Sequence, residues 1–165
     1  MKYFAYGSNM CTRRLRDRVP SACFDERAIL PGFTLKFHKK SRDGSGKGNA
    51  LYTRNPADEV QGVIFDIDEI EKDDLDRVEG RGNGYNQITI RVHTANDVIE
   101  VFTYVADDSA IDDSLMPYTW YKDIVLSGAR EHSLPEDYIH KIESVEAQQD
   151  PDKQREAENR KFLST

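Results

Sequence analysis

Cysteine is scarce in this sequence, whose 165 residues include only Cys11 and Cys23. Two cysteines provide neither a disulfide framework nor the CxxC pairs of a zinc site. The four histidines fall on separate predicted elements, without the cysteine or carboxylate spacing typical of zinc. These absences predict a protein without a bound metal, in a reducing, cytoplasmic setting.

Long apolar runs and an excess of positive charge are also missing. No stretch approaches the ~18 consecutive apolar residues of a membrane-spanning helix. Polar residues and arginines follow too early for a signal peptide. The net charge of −7 argues against a nucleic-acid partner, which would need a basic face. The arginine cluster at positions 13, 14, 16 and 18 has no interleaved aromatics, so we interpret it as a solvated helix face.

Two glycine-rich stretches lack the spacing of nucleotide-binding motifs. In "GSGKGN" the phosphate-loop pattern needs a glycine where Ser41 stands, and a Ser or Thr where Gly48 follows Lys47. We therefore interpret residues 41–49 as a flexible loop. "GRGNG", residues 80–84, follows a predicted helix and precedes a strand, which reverses the dinucleotide-binding context. With no GxSxG motif either, we expect no cofactor and no covalent nucleophile.

The pattern of apolar residues predicts one α+β domain over residues 1–146. Alternating or continuous apolar runs predict strands over 2–6, 22–30, 33–38, 60–67, 85–93 and 98–106. Helical spacing predicts helices over 10–18 and 68–78, around 120–128, and from 133 onward. Two of these helices should begin with capping boxes, Asp68…Glu71 and Ser133…Glu136. Strands followed by helices favour a small mixed β-barrel of about five to seven strands flanked by helices. Residues 147–165 are highly charged and should form a loosely ordered tail or a marginal helix.

Three features of the sequence could form a site. Gly7-Ser8-Asn9 follows the first strand directly, so its N–H groups could bind an anion, although composition alone favours an ordinary helix cap by Ser8 or Asn9. Glu79 ends a helix, where the negative end of the helix dipole disfavours a carboxylate. Such a break of a local rule is typical of functional positions, but a solvated glutamate remains possible. Tyr85, Tyr104 and Tyr121 stand near the ends of elements, yet tyrosines are usually packing residues.

Three segments in order carry a family resemblance. "YFAYGSNM", "VEGRGNGY" and "YKDIVLSGAREHSLPEDYIHKIESV" resemble the γ-glutamylcyclotransferase family, also called AIG2-like. The resemblance covers roughly residues 2–144 and implies a cavity at the barrel mouth. It implies that Glu79 is the general acid/base and that Tyr85, Tyr104 and Tyr121 contact the substrate. It also implies that backbone N–H groups hold the glutamyl group along Tyr6, Gly7, Ser8, Asn9 and Met10.

The implied reaction converts a small γ-glutamyl compound to 5-oxoproline and a free amine, without a cofactor. The α-amine attacks the γ-carbonyl of its own molecule. One alternative is a relative specific for γ-glutamylamines or for a biosynthetic protecting glutamyl group. Another is a binding module that keeps the cavity without catalysis, and a homodimer is also possible. Because Glu79 is present, we favour the enzyme.

Overall fold

The computed structural model describes residues 1–163 and contains a closed barrel of five strands. The strands of that part of the chain are β1 (Lys2–Ala5), β2 (Cys23–Pro31), β3 (Phe33–Lys40), β4 (Gly46–Tyr52), β5 (Glu59–Asp66), β6 (Tyr85–His93) and β7 (Val98–Ala106). Its α-helices are α1 (Thr12–Arg18), α2 (Lys72–Glu79), α3 (Thr119–Glu131), α4 (Glu136–Glu143) and α5 (Lys153–Arg160).

The barrel follows the order β1-β5-β2-β6-β7, and β7 closes it by pairing in parallel with β1. The other neighbouring strands are antiparallel. Strands β3 and β4 form a separate two-stranded sheet, in which Leu35 lies opposite Ala50. The prediction of an α+β fold with a small mixed barrel flanked by helices is confirmed.

Successive side chains of the strands bury into two different apolar clusters. In β1, Tyr3 and Ala5 belong to the cluster that contains the buried face of α3, whereas Phe4 packs in a cluster with Ile64. This alternation follows from the two-residue repeat of a strand. Complete burial of one large apolar side chain contributes about 1.5–3 kcal/mol, so both faces stabilise the barrel.

A glycine allows α3 to approach the first turn of the chain. A Cβ on Gly128 would lie 2.5 Å from the backbone nitrogen of Cys11 and 2.6 Å from the Cβ of Met10. Any side chain at position 128 would therefore push α3 away from this turn. Because Tyr121 is on the same helix, the close contact also fixes where Tyr121 lies relative to the turn.

The expected loop over residues 41–49 is correct for residues 41–45 and wrong beyond them, because strand β4 begins at Gly46. Two long-range contacts hold this strand. It pairs with β3, and Asn49 Oδ1 accepts a hydrogen bond from the backbone N–H of Ala106, 2.8 Å away. Glycines weaken a strand locally, so the tertiary contacts decide the conformation here.

Both predicted capping boxes are wrong. The Asp68 side chain makes no cap hydrogen bond, and Glu71 instead accepts a 3.0 Å hydrogen bond from the backbone N–H of Ser21. A turn of 3₁₀ helix occupies Glu69–Glu71, and α2 begins after it. Ser133 has a φ of 53° and lies before α4, whose N-cap is Pro135. In the first box, the Glu71 side chain is thus used by a tertiary contact rather than by the helix start.

The C-terminal segment differs from the loose tail that its composition suggests. Asp150 is completely buried and accepts hydrogen bonds from Trp120 Nε1 at 2.9 Å and from Arg155 Nε at 2.7 Å. Helix α5 is thereby attached to α3. Residues 164–165 lie outside the described part of the chain, and the domain boundary at residue 146 stays a prediction. Within residues 1–163, no helix is both long and apolar enough to span a membrane.

Candidate active site

A narrow cavity lies where the first turn, the end of α2 and strand β4 meet. Its volume is about 30 Å³, which suits a slim polar group. Its walls are formed by Tyr3, Tyr6, Gly7, Ser8, Asn9, Gly48, Glu79, Tyr85, Tyr104 and Tyr121. The structure thus brings together every predicted site residue except Met10.

The turn after β1 leaves backbone donors without a partner inside the turn. Ser8–Met10 form one turn of 3₁₀ helix, and its first hydrogen bond runs from the Met10 N–H to the Gly7 carbonyl, 3.1 Å. The N–H groups of Gly7, Ser8 and Asn9 precede that bond, so the turn itself supplies no acceptor for them. Such groups favour an anionic partner.

The ordinary-cap interpretation of this turn does not hold. Cys11, rather than Ser8 or Asn9, is the N-cap of α1, and its side chain makes no cap hydrogen bond. Met10 is also different from its neighbours, because its side chain is completely buried and packs in the core beside α3. The Met10 N–H is bonded to the Gly7 carbonyl, and its side chain does not line the cavity. Met10 therefore holds the turn in place from the side away from the cavity.

Glu79 is the last residue of α2, and its carboxylate turns back toward the first turn. Gly80 follows with a φ of 67°, a left-handed conformation that glycine adopts without strain and that ends the helix. The Glu79 side chain is 16% exposed. Its Oε1 accepts a 2.7 Å hydrogen bond from Asn9 Nδ2 and lies 3.6 Å from Arg18 Nη1. These contacts exclude the interpretation as a freely solvated glutamate.

Asn9 connects the groups around this carboxylate. Its amide nitrogen donates to Glu79 and also to the Tyr3 hydroxyl, 3.0 Å away. Its amide oxygen accepts from Arg18 Nη1 at 2.9 Å. Both ends of the amide are used, so the orientation of Asn9 is fixed, and with it the rotamer of Glu79. Tyr3 and Arg18 were not predicted as site residues from the sequence.

The interpretation of the arginine cluster as a solvated face is wrong for Arg14 as well as Arg18. Arg14 is buried, donates to Asn159 Oδ1 at 3.0 Å, and lies 5.4 Å from the centroid of the Phe162 ring. Burial, together with the nearby Arg18, lowers the pKa of Arg14 to about 10. The face of α1 that carries these side chains is therefore turned toward α5 and the site.

Gly48 joins two of the predicted tyrosines. The Tyr85 hydroxyl donates to the Gly48 carbonyl at 2.6 Å, and the Gly48 N–H donates to the Tyr121 hydroxyl at 3.0 Å. The Ser8 side chain also hydrogen-bonds Tyr121. Burial raises the pKa of both tyrosines, so their hydroxyls stay neutral near pH 7. Gly48 was missed because its stretch, once rejected as a phosphate loop, was interpreted as a flexible loop.

Tyr104 and Tyr6 attach α2 to the barrel. The Tyr104 hydroxyl donates to Asp76 Oδ1 on α2 at 2.5 Å. The Tyr6 hydroxyl donates to the Tyr104 carbonyl, also at 2.5 Å. Burial, followed by the bond to Asp76, raises the pKa of Tyr104. Since Glu79 lies one turn after Asp76, this attachment contributes to the position of the carboxylate.

No group of three His, Cys, Asp or Glu side chains within residues 1–163 is arranged to hold a metal ion. The walls of the cavity consist instead of hydroxyl groups, backbone, one amide and one carboxylate. Such a set can orient a small polar molecule, move a proton and stabilise a developing negative charge.

Comparison with known proteins identifies relatives over most of the chain. Residues 59–142 match the model of the AIG2-like family. A human γ-glutamylcyclotransferase is 36% identical over 150 residues, which cover 87% of this chain and 78% of that protein. A bovine γ-glutamylcyclotransferase is 34% identical over 148 residues, with the same coverage. The solved structure of a γ-glutamyl cyclotransferase has a TM-score of 0.85 and 30% identity, covering 97% of this chain and 98% of that chain.

Proposed function

Because this chain belongs to the AIG2-like, γ-glutamylcyclotransferase family, we propose that it converts a γ-glutamyl compound to 5-oxoproline and a free amine. The observation that carries the proposal is the position of Glu79. Its carboxylate is held by Asn9 at the wall of a cavity whose opposite members are neutral hydroxyls. A single oriented carboxylate can accept a proton from one nitrogen of the substrate and donate it to the other, which is what this ring closure requires.

The reaction forms one bond and breaks one. The α-amine nitrogen of the substrate bonds to its own γ-carbonyl carbon, and the bond from that carbon to the leaving nitrogen breaks. The α-ammonium loses two protons as it becomes the ring N–H, and the leaving nitrogen gains two as it becomes an ammonium. Glu79 carries these protons one at a time between the two nitrogens. The cavity has to fold the substrate for ring closure, and good orientation is worth about 7–11 kcal/mol in favourable cases.

The remaining walls bind and shape the substrate. The N–H groups of Gly7, Ser8 and Asn9 donate hydrogen bonds to an anionic oxygen of the substrate. The hydroxyls of Tyr85 and Tyr121 are neutral, so they bind polar atoms without competing for the proton that Glu79 carries. Tyr104 is bonded to Asp76, and its contribution is to place α2.

We extend the proposal to the class of the reaction, the cellular location and the source of the substrates. We assign the reaction to intramolecular acyl transfer with release of an amine, which has the character of a lyase. We also propose a cytoplasmic location and substrates from the γ-glutamyl compounds of glutathione metabolism. The scarcity of cysteine supports the reducing compartment.

The proposal is tested by incubating the purified chain with γ-glutamyl amino acids, glutathione and γ-glutamylamines. The assay measures 5-oxoproline by mass spectrometry. At least one member of the panel should yield 5-oxoproline and the free amine in equal amounts. If no member yields product while one of them binds, the chain is a binding module with this cavity and the proposed activity is wrong.

A further inference from the structure

Lys39 of β3 brings a positive charge to the edge of the site. Its Nζ lies 4.6 Å from the centroid of the Tyr85 ring. The lysine stem crosses Gly84, where a Cβ would lie 2.9 Å from Lys39 Cε and 3.1 Å from Nζ. Glycine at position 84 therefore leaves room for the side chain that carries the ammonium to this place.

The two carboxylates that act electrostatically on this ammonium, Asp43 and Glu79, already have other partners. Asp43 forms an ion pair with Lys47 at 2.9 Å, and Glu79 is bonded to Asn9 and lies beside Arg18. Burial lowers the pKa of Lys39, while the charge of Glu79 acts in the opposite direction. Arg42 and Asp43 also act on Lys39, with opposite signs. Lys39 is therefore a half-buried cation within electrostatic reach of the proposed general acid/base.

The contact between Lys39 and the Tyr85 ring orients the ammonium without neutralising its charge. An aromatic face attracts an ammonium but carries no net charge. A carboxylate placed beside Nζ would regain the interaction that partial burial has taken from the ammonium. The edge of the site beside Lys39 therefore favours an anionic group of the substrate.

We propose that Lys39 binds the α-carboxylate of the amino acid that leaves, so that the chain selects γ-glutamyl-α-amino acids over γ-glutamylamines. This proposal rests on the proposed function. The leaving nitrogen must come close to Glu79 to receive its proton. The α-carboxylate carbon is two bonds from that nitrogen, so it lies near Glu79 and within reach of Lys39. An amine without a carboxylate leaves the ammonium unpaired.

The test compares γ-glutamyl-alanine with γ-glutamyl-ethylamide, which differ only in the carboxylate of the leaving group. We expect Lys39→Met to lower kcat/KM for γ-glutamyl-alanine by roughly 10- to 100-fold, mainly through KM. The same variant should lower kcat/KM for the ethylamide much less, because with that substrate it alters only the electrostatic surroundings of Glu79. Lys39→Arg keeps the charge and should retain most of the preference. Lys40→Met removes an exposed lysine from the next position of the strand and serves as the matched control.

A second readout needs no variant. The wild-type chain should prefer γ-glutamyl-alanine, and added salt should raise KM for that substrate alone, because salt screens the ion pair. Equal losses on both substrates in Lys39→Met, or no preference in the wild type, would overturn the role of Lys39 and leave the proposed function intact. Turnover of neither substrate by the wild type, nor of any other γ-glutamyl compound, would overturn both.

Discussion

The two sides of the cavity are built on different principles. The carboxylate side, Tyr3, Asn9, Arg18 and Glu79, is a closed set of side-chain hydrogen bonds and charges. The glycine side, Gly48, Tyr85 and Tyr121, is held by hydrogen bonds to the backbone of β4. The first side fixes the direction of one reactive group. The second makes space, because a residue without a side chain lies between two tyrosines.

This difference predicts different kinetic consequences for the two sides. Changes on the carboxylate side remove an interaction that acts on the reacting atoms, so they should lower kcat. Changes on the glycine side alter the shape and polarity of the cavity, so they should raise KM.

The largest effect is expected for Glu79→Gln. The amide keeps the size of the side chain and still accepts from Asn9, but it cannot carry the proton. Turnover should fall about 10²- to 10⁴-fold, the usual contribution of a general acid/base, and the melting temperature should change little. The assay is 5-oxoproline release together with thermal unfolding. A variant that closes the ring at the wild-type rate would remove Glu79 from the mechanism.

The second largest effect on turnover is expected for Asn9→Ala. It removes the donor that orients Glu79, and a misplaced catalytic group can cost about 10²-fold in rate. It also leaves the Tyr3 hydroxyl and Arg18 without this partner, which should cost about 1–3 kcal/mol in the free energy of unfolding. Steady-state kinetics and urea unfolding measure the two effects. A rise in KM with kcat preserved would show that the carboxylate side is not an orienting network.

Gly48→Ala tests the glycine side. A Cβ there would lie 3.2 Å from the Tyr121 hydroxyl and 3.9 Å from the Gly7 Cα, so it narrows the cavity. We expect roughly a 10-fold rise in KM, the loss of about one polar contact. Gly32→Ala is the control, because Gly32 has a φ of 81° in a turn between β2 and β3. It should destabilise the chain without changing KM, and a similar KM shift in both variants would contradict the assignment.

The smallest effect is expected for Tyr121→Phe. The change removes one hydroxyl, which accepts from the Gly48 N–H, and leaves the ring in place. KM should rise about 3- to 10-fold, with kcat nearly unchanged. Tyr118 is at the start of the same helix, and its hydroxyl donates to the Asp43 carbonyl. Tyr118→Phe removes that hydroxyl and should not change KM. Unchanged kinetics in Tyr121→Phe would remove its hydroxyl from the site.

The sequence predicted the five strands of the barrel because these strands carry their own signals. Period-two alternation marks β6 and β7, and an apolar run marks β5. Strand β4 has no such signal, since its conformation depends on pairing with β3 and on the contact between Asn49 and Ala106. For the same reason Gly48 could not be recognised as a wall of the cavity.

The carboxylate side was predicted in part. Glu79 stood out because a carboxylate at the end of a helix opposes the helix dipole. Arg18 did not, because which face of α1 is buried depends on how that helix packs against the rest of the chain. Tyr3 lies in β1, whereas Glu79 ends α2, which follows β5 in the sequence. Only the fold brings both side chains to Asn9.

The most direct measurement follows the nitrogen of the substrate. The purified chain is incubated with γ-glutamyl-alanine that carries ¹⁵N in the α-amine of the glutamyl group, and the products are identified by mass spectrometry. Intramolecular attack predicts that all ¹⁵N is in the ring of 5-oxoproline and that the released alanine is unlabelled. Release of ¹⁵N-glutamate in place of 5-oxoproline would show hydrolysis and would contradict the account.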